Sequence, residues 1–392
     1  MRILFAWEFG HNFGHIFRQV QIARTLRVRG HILSFAVSDP ALANKFLSSE
    51  GFAFVQAPKT GVTLTNAHRP ICSFADILAS HGLVIPACVD AVVTAWQRLF
   101  FQARPDVVVL DHAPMALFAA RLSGLRTVAI GTGFELPPSV TPFPDFRPWE
   151  HVGEASHLET EEAILAGLNA VSVKGIATQF DTLASALGAD ASLLLTFEEL
   201  DHYPGRLQAN YSGPLYSLDI GQSSRWLPGS GKKILVYLRA SDELPPLLTA
   251  LKALGASVIC VVIGIAPALR EQYHCDHFQI HTVPLRLEFL LPEADLVIAH
   301  NGHGLLSACV KFGIPVLAVP TQLEQMLTSD RVVDAGMGLR LGLNELAVKA
   351  AGAIDLLLGD HRYRASATEL AEKYRDLDIA KVLSTVVQRI EL

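Results

Sequence analysis

Residues 294–325 read Ala-Asp-Leu-Val-Ile-Ala-His300-Asn301-Gly302-His303-Gly304, then Leu-Leu-Ser-Ala-Cys-Val-Lys-Phe-Gly313, then Ile-Pro-Val-Leu-Ala-Val-Pro320, then Thr-Gln-Leu-Glu324-Gln325. The apolar run Leu296–Ala299 is continuous rather than alternating, as in a strand covered on both faces. It enters a glycine-rich turn, and the segment after it reads as a helix ending at Gly313. Val316–Val319 is a second strand of the same kind. Strand, glycine turn, helix and strand in this order form the unit of a doubly wound α/β sheet. Such a turn gathers backbone N–H groups at a helix N-terminus, where the helix dipole favours negative charge. With His300 and His303 in the turn, the expected ligand carries phosphate.

The same alternation runs along the whole chain. Ile3–Trp7, Ile32–Val37, Val107–Leu110, Thr127–Ile130 and Leu193–Thr196 read as buried strands in the first half. Ile234–Leu238, Val258–Ile263, Gln279–Val283, Leu296–Ala299 and Val316–Val319 do so in the second. Helical patterns separate them; in the first, Ile16, Val20, Ala23 and Leu26 make one apolar stripe and Gly30 ends it. The expectation is two Rossmann-like doubly wound α/β domains. The 392 residues are too many for one ordinary core. Turn signals in series place the boundary in Gly205–Lys233. Phe134–Trp149, rich in proline and aromatic residues, reads as a long ordered loop.

Composition narrows the function. Hydrophobic residues make up 50% and charged residues 18% of the chain, and the net charge is −6. This acidic balance argues against a general nucleic-acid binder. The opening apolar run is too short for a signal peptide, and nothing approaches the ~18 apolar residues of a spanning helix. Five cysteines without a Cys-x-x-Cys pair fit reduced thiols, so a cytoplasmic setting is expected. The cluster His274-Cys-Asp-His277, with His281 nearby, does not have a recognised zinc spacing. No G-x-G-x-x-G follows the first strand in the register of a dinucleotide dehydrogenase.

Three groups of residues carry chemistry. Glu8-Phe-Gly-His11-Asn-Phe-Gly-His15 follows the first strand and opens the first helix, at a sheet edge where ligands bind. The helix dipole is expected to lower the pKa of His15 and keep it neutral, as a general base must be. The competing reading has His15 only capping the helix or packing under a loop. Asp111 ends the strand Val107–Leu110 at the same edge. It either orients His15, as in base–orienter pairs, or caps the next helix. In the third group, His300 and the backbone amides of Gly302–Leu305 can donate to phosphate oxygens. Glu324 and Gln325 suit sugar hydroxyls, and Arg239, at the end of Ile234–Leu238, can face a diphosphate.

Together these residues give the chain a resemblance to nucleotide-sugar glycosyltransferases of the GT-B fold, and within them to the inverting macrolide glycosyltransferases and UDP-glycosyltransferases. Gly14-His15 through Gly30-His31 is similar to that family's opening G-H-x-x-P…R-G-H, with Arg18 in the place of the proline. Val283-Pro284 through Gln325 is similar to its donor-binding segment. The resemblance implies two domains facing a cleft: residues 1–218 bind the acceptor, 219–375 bind the nucleotide-sugar, and a helix in 376–392 packs back toward the first domain. It implies His15 as catalytic base, Asp111 as its support, and His300, Asn301, Gly302, His303 and Gly304 around the diphosphate. Glu324 and Gln325 would then hold the donor sugar. Leu305 stands where the family has a phosphate-binding hydroxyl, for which Ser307 could substitute, and Ala308 stands where it has a ribose-binding glutamate. The pair Arg239-Ala240 replaces a glycine–hydroxyl pair. A donor without a ribose 2′-hydroxyl, such as a dTDP-sugar, is therefore allowed beside a UDP-sugar.

The implied reaction is metal-independent hexosyl transfer with inversion. No cofactor is implied, since the nucleotide-sugar is a substrate. The greasy segments Gly61–Ala103 and Phe134–Trp149 favour an apolar or aromatic acceptor and leave peripheral membrane contact open. A nucleotide-sugar-binding protein without transferase activity and a nucleotide-sugar epimerase are the alternatives.

Overall fold

The structure, a computed structural model, describes residues 1–10, 13–64, 70–173, 179–207, 209–226 and 231–392. The chain divides into two compact units. The first comprises Met1–Thr196, Tyr203–Gly213 and Ile379–Leu392; the second comprises Phe197–His202 and Pro214–Asp378. The division thus falls after Gly213 rather than after residue 218. Phe197–His202 joins the second unit because Phe197 and Leu200 are buried in that unit's core.

In the first unit the strands are β1 (Arg2–Trp7), β2 (Ile32–Val37), β3 (Ala53–Gln56), β4 (Val107–Asp111), β5 (Arg126–Gly131) and β6 (Ala191–Leu194). The helices are α1 (Phe13–Val28), α2 (Pro40–Glu50), α3 (Phe74–Ser80), α4 (Pro86–Ala103), α5 (Pro114–Leu122), α6 (Glu154–Val173) and α7 (Leu183–Ala186). In the second unit the strands are β7 (Lys233–Arg239), β8 (Ser257–Ile263), β9 (Phe278–His281), β10 (Leu296–Ala299), β11 (Val316–Ala318) and β12 (Gly338–Arg340). Its helices are α8 (Leu244–Ala253), α9 (Pro267–Tyr273), α10 (His303–Phe312), α11 (Leu323–Asp334), α12 (Leu346–Gly359) and α13 (His361–Lys373). The last helix, α14 (Ile379–Glu391), belongs to the first unit. Glu391 there pairs with Arg29 and His31, and Arg126 donates to the carbonyls of Arg389 and Ile390.

The first sheet runs β3-β2-β1-β4-β5-β6 and the second runs β12-β11-β10-β7-β8-β9, with every strand pairing parallel. Both have the doubly wound order, which reverses direction once. Ligands bind at that switch point, outside the carboxyl ends of the strands. The switch lies between β1 and β4 in the first unit, where Trp7 pairs with Asp111. In the second it lies between β7 and β10, where Tyr237 pairs with Ala299.

Side-chain alternation explains the continuous apolar runs. Ile234, Val236 and Leu238 of β7, Val258, Cys260 and Val262 of β8, and Leu296 and Ile298 of β10 fill one face of the second sheet. Leu235, Ile259, Val261, Val297 and Ala299, one position out of phase, fill the other. Two strands escape a reading of apolar runs, β3 and β12. Both sit at sheet edges; β3 is largely open to solvent and β12 has only three residues, so neither carries such a run.

Candidate active site

The apolar stripe of α1 docks it on the first sheet and turns His15 toward the end of β4. His15 Nδ1 lies 2.8 Å from Asp111 Oδ1. Asp111 is fully buried and His15 is 8% exposed. The His15–Asp111 pair expected from sequence is therefore formed, at the switch point. Asp111 does not cap α5, whose first turn is held instead by Glu8. The Glu8 carboxyl accepts from the amides of Met115 and Ala116 at 2.8 and 2.9 Å. Burial pushes the Glu8 pKa up to about 8 in spite of those two amides. Glu8 is thus a buried helix cap, and His11 lies outside the described residues.

Two residues not singled out as site residues complete the cluster. Arg18, in the place of the family's proline, grips Asp111 with two bonds: Nε to Oδ2 at 3.0 Å and Nη2 to Oδ1 at 2.6 Å. The same Nη2 lies 3.3 Å from Glu135 Oε1 and 3.3 Å from His15 Nδ1. Glu135 is fixed by Thr132, whose amide and hydroxyl donate to Oε2 at 2.7 and 2.8 Å. His15, Asp111 and Glu135 could by their spacing hold a metal ion. Arg18 Nη2 sits among their ligand atoms and supplies the positive charge there. The signal for Glu135 was present in the sequence: Gly131-Thr-Gly-Phe-Glu135 is a glycine turn at the end of β5, the neighbour of β4.

The charges of this buried quartet are set by one another. Burial would raise the pKa of Asp111, but Arg18 and His15 hold it below its usual range. Glu135 is likewise held well down by Arg18 and His15 against burial. For His15, burial pushes the pKa down; the Asp111 charge and hydrogen bond outweigh that, with Glu135 adding to them and Arg18 opposing. The net shift is upward. This corrects the expectation of a lowered pKa from the helix dipole: two buried carboxylates within 4.0 Å of Nδ1 outweigh partial charges at a helix end. Two carboxylates, one guanidinium and one imidazolium sum to zero, so the cluster is electroneutral when His15 is protonated.

Nδ1 faces Asp111, and Nε2 has no hydrogen bond among the described residues. A Cβ on Gly10 would lie 2.6 Å from Nε2, and Gly10 has φ +84°. Glycine is required there on both counts. Trp7, fully buried, stacks on the His15 ring at 5.3 Å.

In the second unit, the carboxyl edge of the sheet is built around His300. Its Nδ1 lies 2.7 Å from the Val319 carbonyl, just past β11, and its Nε2 lies 2.9 Å from the backbone nitrogen of Arg239, at the end of β7. Nδ1–H therefore donates and Nε2 accepts. The ring spans three strand ends, and burial and the nearby Arg239 charge lower its pKa. This corrects the expectation that His300 donates to phosphate, because both nitrogens are already engaged within the sheet edge. Asn301, at φ +61° and buried, donates to Ser329 Oγ at 3.1 Å and ties the turn to α11. Ser307 is fully buried, with Oγ 3.4 Å from His303 Nδ1, so it does not take the place of a phosphate-binding hydroxyl. Ala308 is fully buried in the core, on the face of α10 that Gly304 turns toward Tyr216.

Groups suited to an anion remain at this edge. Gly302 gives α10 no side-chain cap, so the amides of Gly304 and Leu305 in its first turn lack helical partners. Arg239 is exposed beside them. Gln322 likewise leaves α11 without a side-chain cap. Glu324, half-buried, lies in the first turn of α11, and Gln325 Oε1 accepts from the Thr321 amide and hydroxyl at 2.9 and 3.0 Å. The turn His274–His277 brings Cys275 Sγ within 3.5 Å of His277 Nδ1 but gathers no third ligand among the described residues.

Comparison with known proteins agrees with this picture. Residues 261–381 match the family model of the erythromycin biosynthesis protein CIII-like C-terminal domain. A PGL/p-HBAD biosynthesis glycosyltransferase of Mycobacterium tuberculosis is 24% identical over 308 residues, spanning 72% of this chain and 70% of that protein. A PGL/p-HBAD biosynthesis rhamnosyltransferase of Mycobacterium bovis is 25% identical over 315 residues, 72% of this chain and 66% of that one. Among solved structures, the calicheamicin glycosyltransferase CalG4 superposes with a TM-score of 0.71 at 17% identity, covering 99% of this chain and 97% of its own. The glycosyltransferase VinC, solved with dTDP, gives 0.67 at 16% identity over 99% and 100%. The chain therefore has the GT-B fold and is related to nucleotide-sugar glycosyltransferases, and its second unit carries an EryCIII-like C-terminal domain.

Proposed function

We propose that the protein transfers a sugar from a nucleoside diphosphate donor to an acceptor hydroxyl, with inversion and without a metal ion. The observation that carries this is the His15–Asp111 pair at the switch point of the first sheet. His15 Nε2 takes the acceptor proton as the acceptor oxygen bonds to the anomeric carbon. The bond from that carbon to the phosphate oxygen breaks, and the nucleoside diphosphate leaves. Asp111 stabilises the imidazolium that forms. The first-turn amides of α10 and the Arg239 guanidinium stabilise the leaving diphosphate. His300 serves this site indirectly, by fixing the strand ends that carry those groups.

Arg18, lodged among the three ligand atoms, supports a reaction without metal. Ala308, buried and without a carboxylate, favours a dTDP-sugar over a UDP-sugar, in keeping with the dTDP of the VinC structure. The reduced cysteines fit a cytoplasmic protein. Among the described residues no helix is long and apolar enough to cross a membrane.

A second reading, binding of nucleotide-sugar without transfer, is favoured by the raised His15 pKa, which reduces the neutral base near pH 7. Release of nucleoside diphosphate from dTDP- and UDP-sugars, measured with and without a panel of phenols and alcohols, separates the two. Wild-type turnover with an acceptor, and its loss in His15→Ala with dTDP affinity unchanged, is expected. An undiminished rate in His15→Ala refutes the assignment of the base.

A further inference from the structure

Two consecutive hydroxyls in α11 stand directly behind Glu324 and Gln325. Those two residues begin the helix, at the carboxyl edge of the second sheet. Gln325 Oε1 is occupied by Thr321, so this side chain offers its NH2 group to a ligand, and Glu324 next to it in sequence supplies a carboxylate. A donor with an acceptor suits vicinal hydroxyls. One turn on, Thr328 Oγ1 lies 2.8 Å from the Glu324 carbonyl and Ser329 Oγ lies 2.6 Å from the Gln325 carbonyl. A carbonyl only accepts, so each hydroxyl gives its single proton there. Each hydroxyl oxygen then accepts from a second side chain. For Thr328 this is His202, with Nε2 3.0 Å away; for Ser329 it is Asn301, with Nδ2 3.1 Å away. His202 therefore carries a proton on Nε2.

These groups lie in the interior: Thr328, Ser329, Asn301 and His202 are 1%, 0%, 2% and 6% exposed. Hydroxyls that bond back four residues add little to a helix and bend it. Elsewhere α11 buries Leu327 and Val332, which are apolar. A fully connected buried polar network instead fixes one arrangement of the groups that it joins. Both anchors are themselves held. Asn301 belongs to the turn between β10 and α10, at φ +61°. His202 closes the segment Phe197–His202 of the second unit. Phe197 and Leu200 of that segment are buried in the unit's core, and Glu199 accepts from the Tyr374 hydroxyl at 2.6 Å and from Lys373 at 2.5 Å.

We propose that Thr328 and Ser329 are positioning residues for the sugar of the donor, with His202 and Asn301 as their anchors. The His202–Thr328 relay fixes the backbone at Glu324, and the Asn301–Ser329 relay fixes it at Gln325. Carboxylate and amide thus keep the spacing and direction that vicinal sugar hydroxyls require. The nucleoside diphosphate is held by other groups, the first turn of α10 and Arg239. Loosening a relay therefore weakens the sugar's share of binding and spares the nucleotide's. The donor class rests on the transferase reading above, whereas the relays involve neither His15 nor turnover.

Titration calorimetry of the full chain with dTDP and with dTDP-glucose, and likewise with UDP and UDP-glucose, tests this; the ratio of dissociation constants within each pair reports the sugar's share. Thr328→Val, nearly the same shape, is expected to weaken binding of the nucleotide-sugar about fivefold and to leave the bare nucleotide within about twofold. Thr328→Ser keeps the hydroxyl and should keep the wild-type ratio. His202→Phe should act as Thr328→Val does, and His202→Gln, which retains an N–H donor, should recover most of the loss. In His202→Phe/Thr328→Val the two losses should not add, because both break one relay. Ser329→Ala repeats the test on the second relay, and thermal melting identifies any variant that fails to fold. An unchanged ratio in folded Thr328→Val and Ser329→Ala, equal weakening of nucleotide and nucleotide-sugar, or a wild type that binds neither nucleotide-sugar overturns the proposal. A changed ratio in an enzyme that transfers sugar to no acceptor defeats the transferase reading and leaves this one standing.

Discussion

Replacing Arg18 with Met tests how the buried quartet works. Methionine keeps much of the side-chain volume and removes the charge. Arg18 Nη2 lies 3.3 Å from His15 Nδ1. Two unit charges centred ~4 Å apart repel by about 4 kcal/mol at an effective dielectric of ~20. Removing that repulsion raises the proton affinity of His15. Part of the effect cancels, because Asp111 and Glu135 lose their guanidinium and their carboxylates are then less firmly held in the charged form. A net upward shift of about 1–2 pH units remains. In the proposed reaction the neutral imidazole is the base, so the acidic limb of kcat/KM is expected to move to higher pH by that amount. At a pH below the limb, activity falls about tenfold per unit. The assay is kcat/KM for a dTDP-sugar and acceptor pair from pH 6 to pH 10. Arg18→Lys, which keeps the charge and loses the fork, should shift the limb less. The double variant Arg18→Met/Glu135→Gln removes one charge of each sign and should bring the limb back toward the wild type. A limb that stays in place or moves to lower pH in folded Arg18→Met refutes the argument that charge balance sets the base.

Other perturbations follow from single contacts. Glu8, with its pKa raised to about 8, favours folding in its protonated form. That contribution is full below about pH 4.5 and is lost as pH rises toward 8, by up to about 1.4 kcal/mol per pH unit. Chemical denaturation across pH 5–8 should show the slope, and Glu8→Gln should flatten it. Gly10→Ala places a Cβ against His15 Nε2 and strains φ by about 1–2 kcal/mol; turnover should drop at least tenfold with dTDP affinity unchanged in titration calorimetry. Arg239→Ala should weaken dTDP binding about tenfold and reduce its salt dependence, whereas Ser307→Ala, altering a buried hydroxyl, should leave dTDP affinity within twofold.

The pairing of His15 with Asp111 was legible because it depends on topology: two strand-end residues on β1's helix and β4 meet wherever the sheet order is doubly wound. Arg18 was visible only as a missing proline. Its role needs the depth of Asp111, which lies 93 positions away in sequence. His300 shows a similar limit. A histidine after a strand and before a helix suggests an anion ligand, but the partners that occupy its nitrogens come from β7 and from the end of β11, 61 and 19 positions away. Only the sheet order brings them together. The greasy segments at 61–103 and 134–149 pointed toward an apolar ligand. A cavity in the first unit that Phe74, Glu135 and Phe143 help to line also takes walls from β4, α5, β6 and from Arg206, Leu207, Ala209 and Asn210, short pieces with no pattern of their own. β3 and β12 were missed because β3 is largely open to solvent and β12 is only three residues long, so neither carries an apolar run.

If His15 is the base of the proposed transfer, the electroneutrality of the quartet governs turnover in the following way. With His15 ready to act as base, the buried group carries one net negative charge; once it has accepted the acceptor's proton, the interior is discharged. The chemical step is therefore drawn forward by relief of a buried charge, and the spent enzyme rests in its more comfortable state. Regeneration is the harder half of the cycle: a proton must leave Nε2 past Gly10, against the pull of two carboxylates, before the next acceptor can be used. Proton escape to the medium, rather than bond-making at the sugar, then becomes the step that buffer concentration and heavy water would slow.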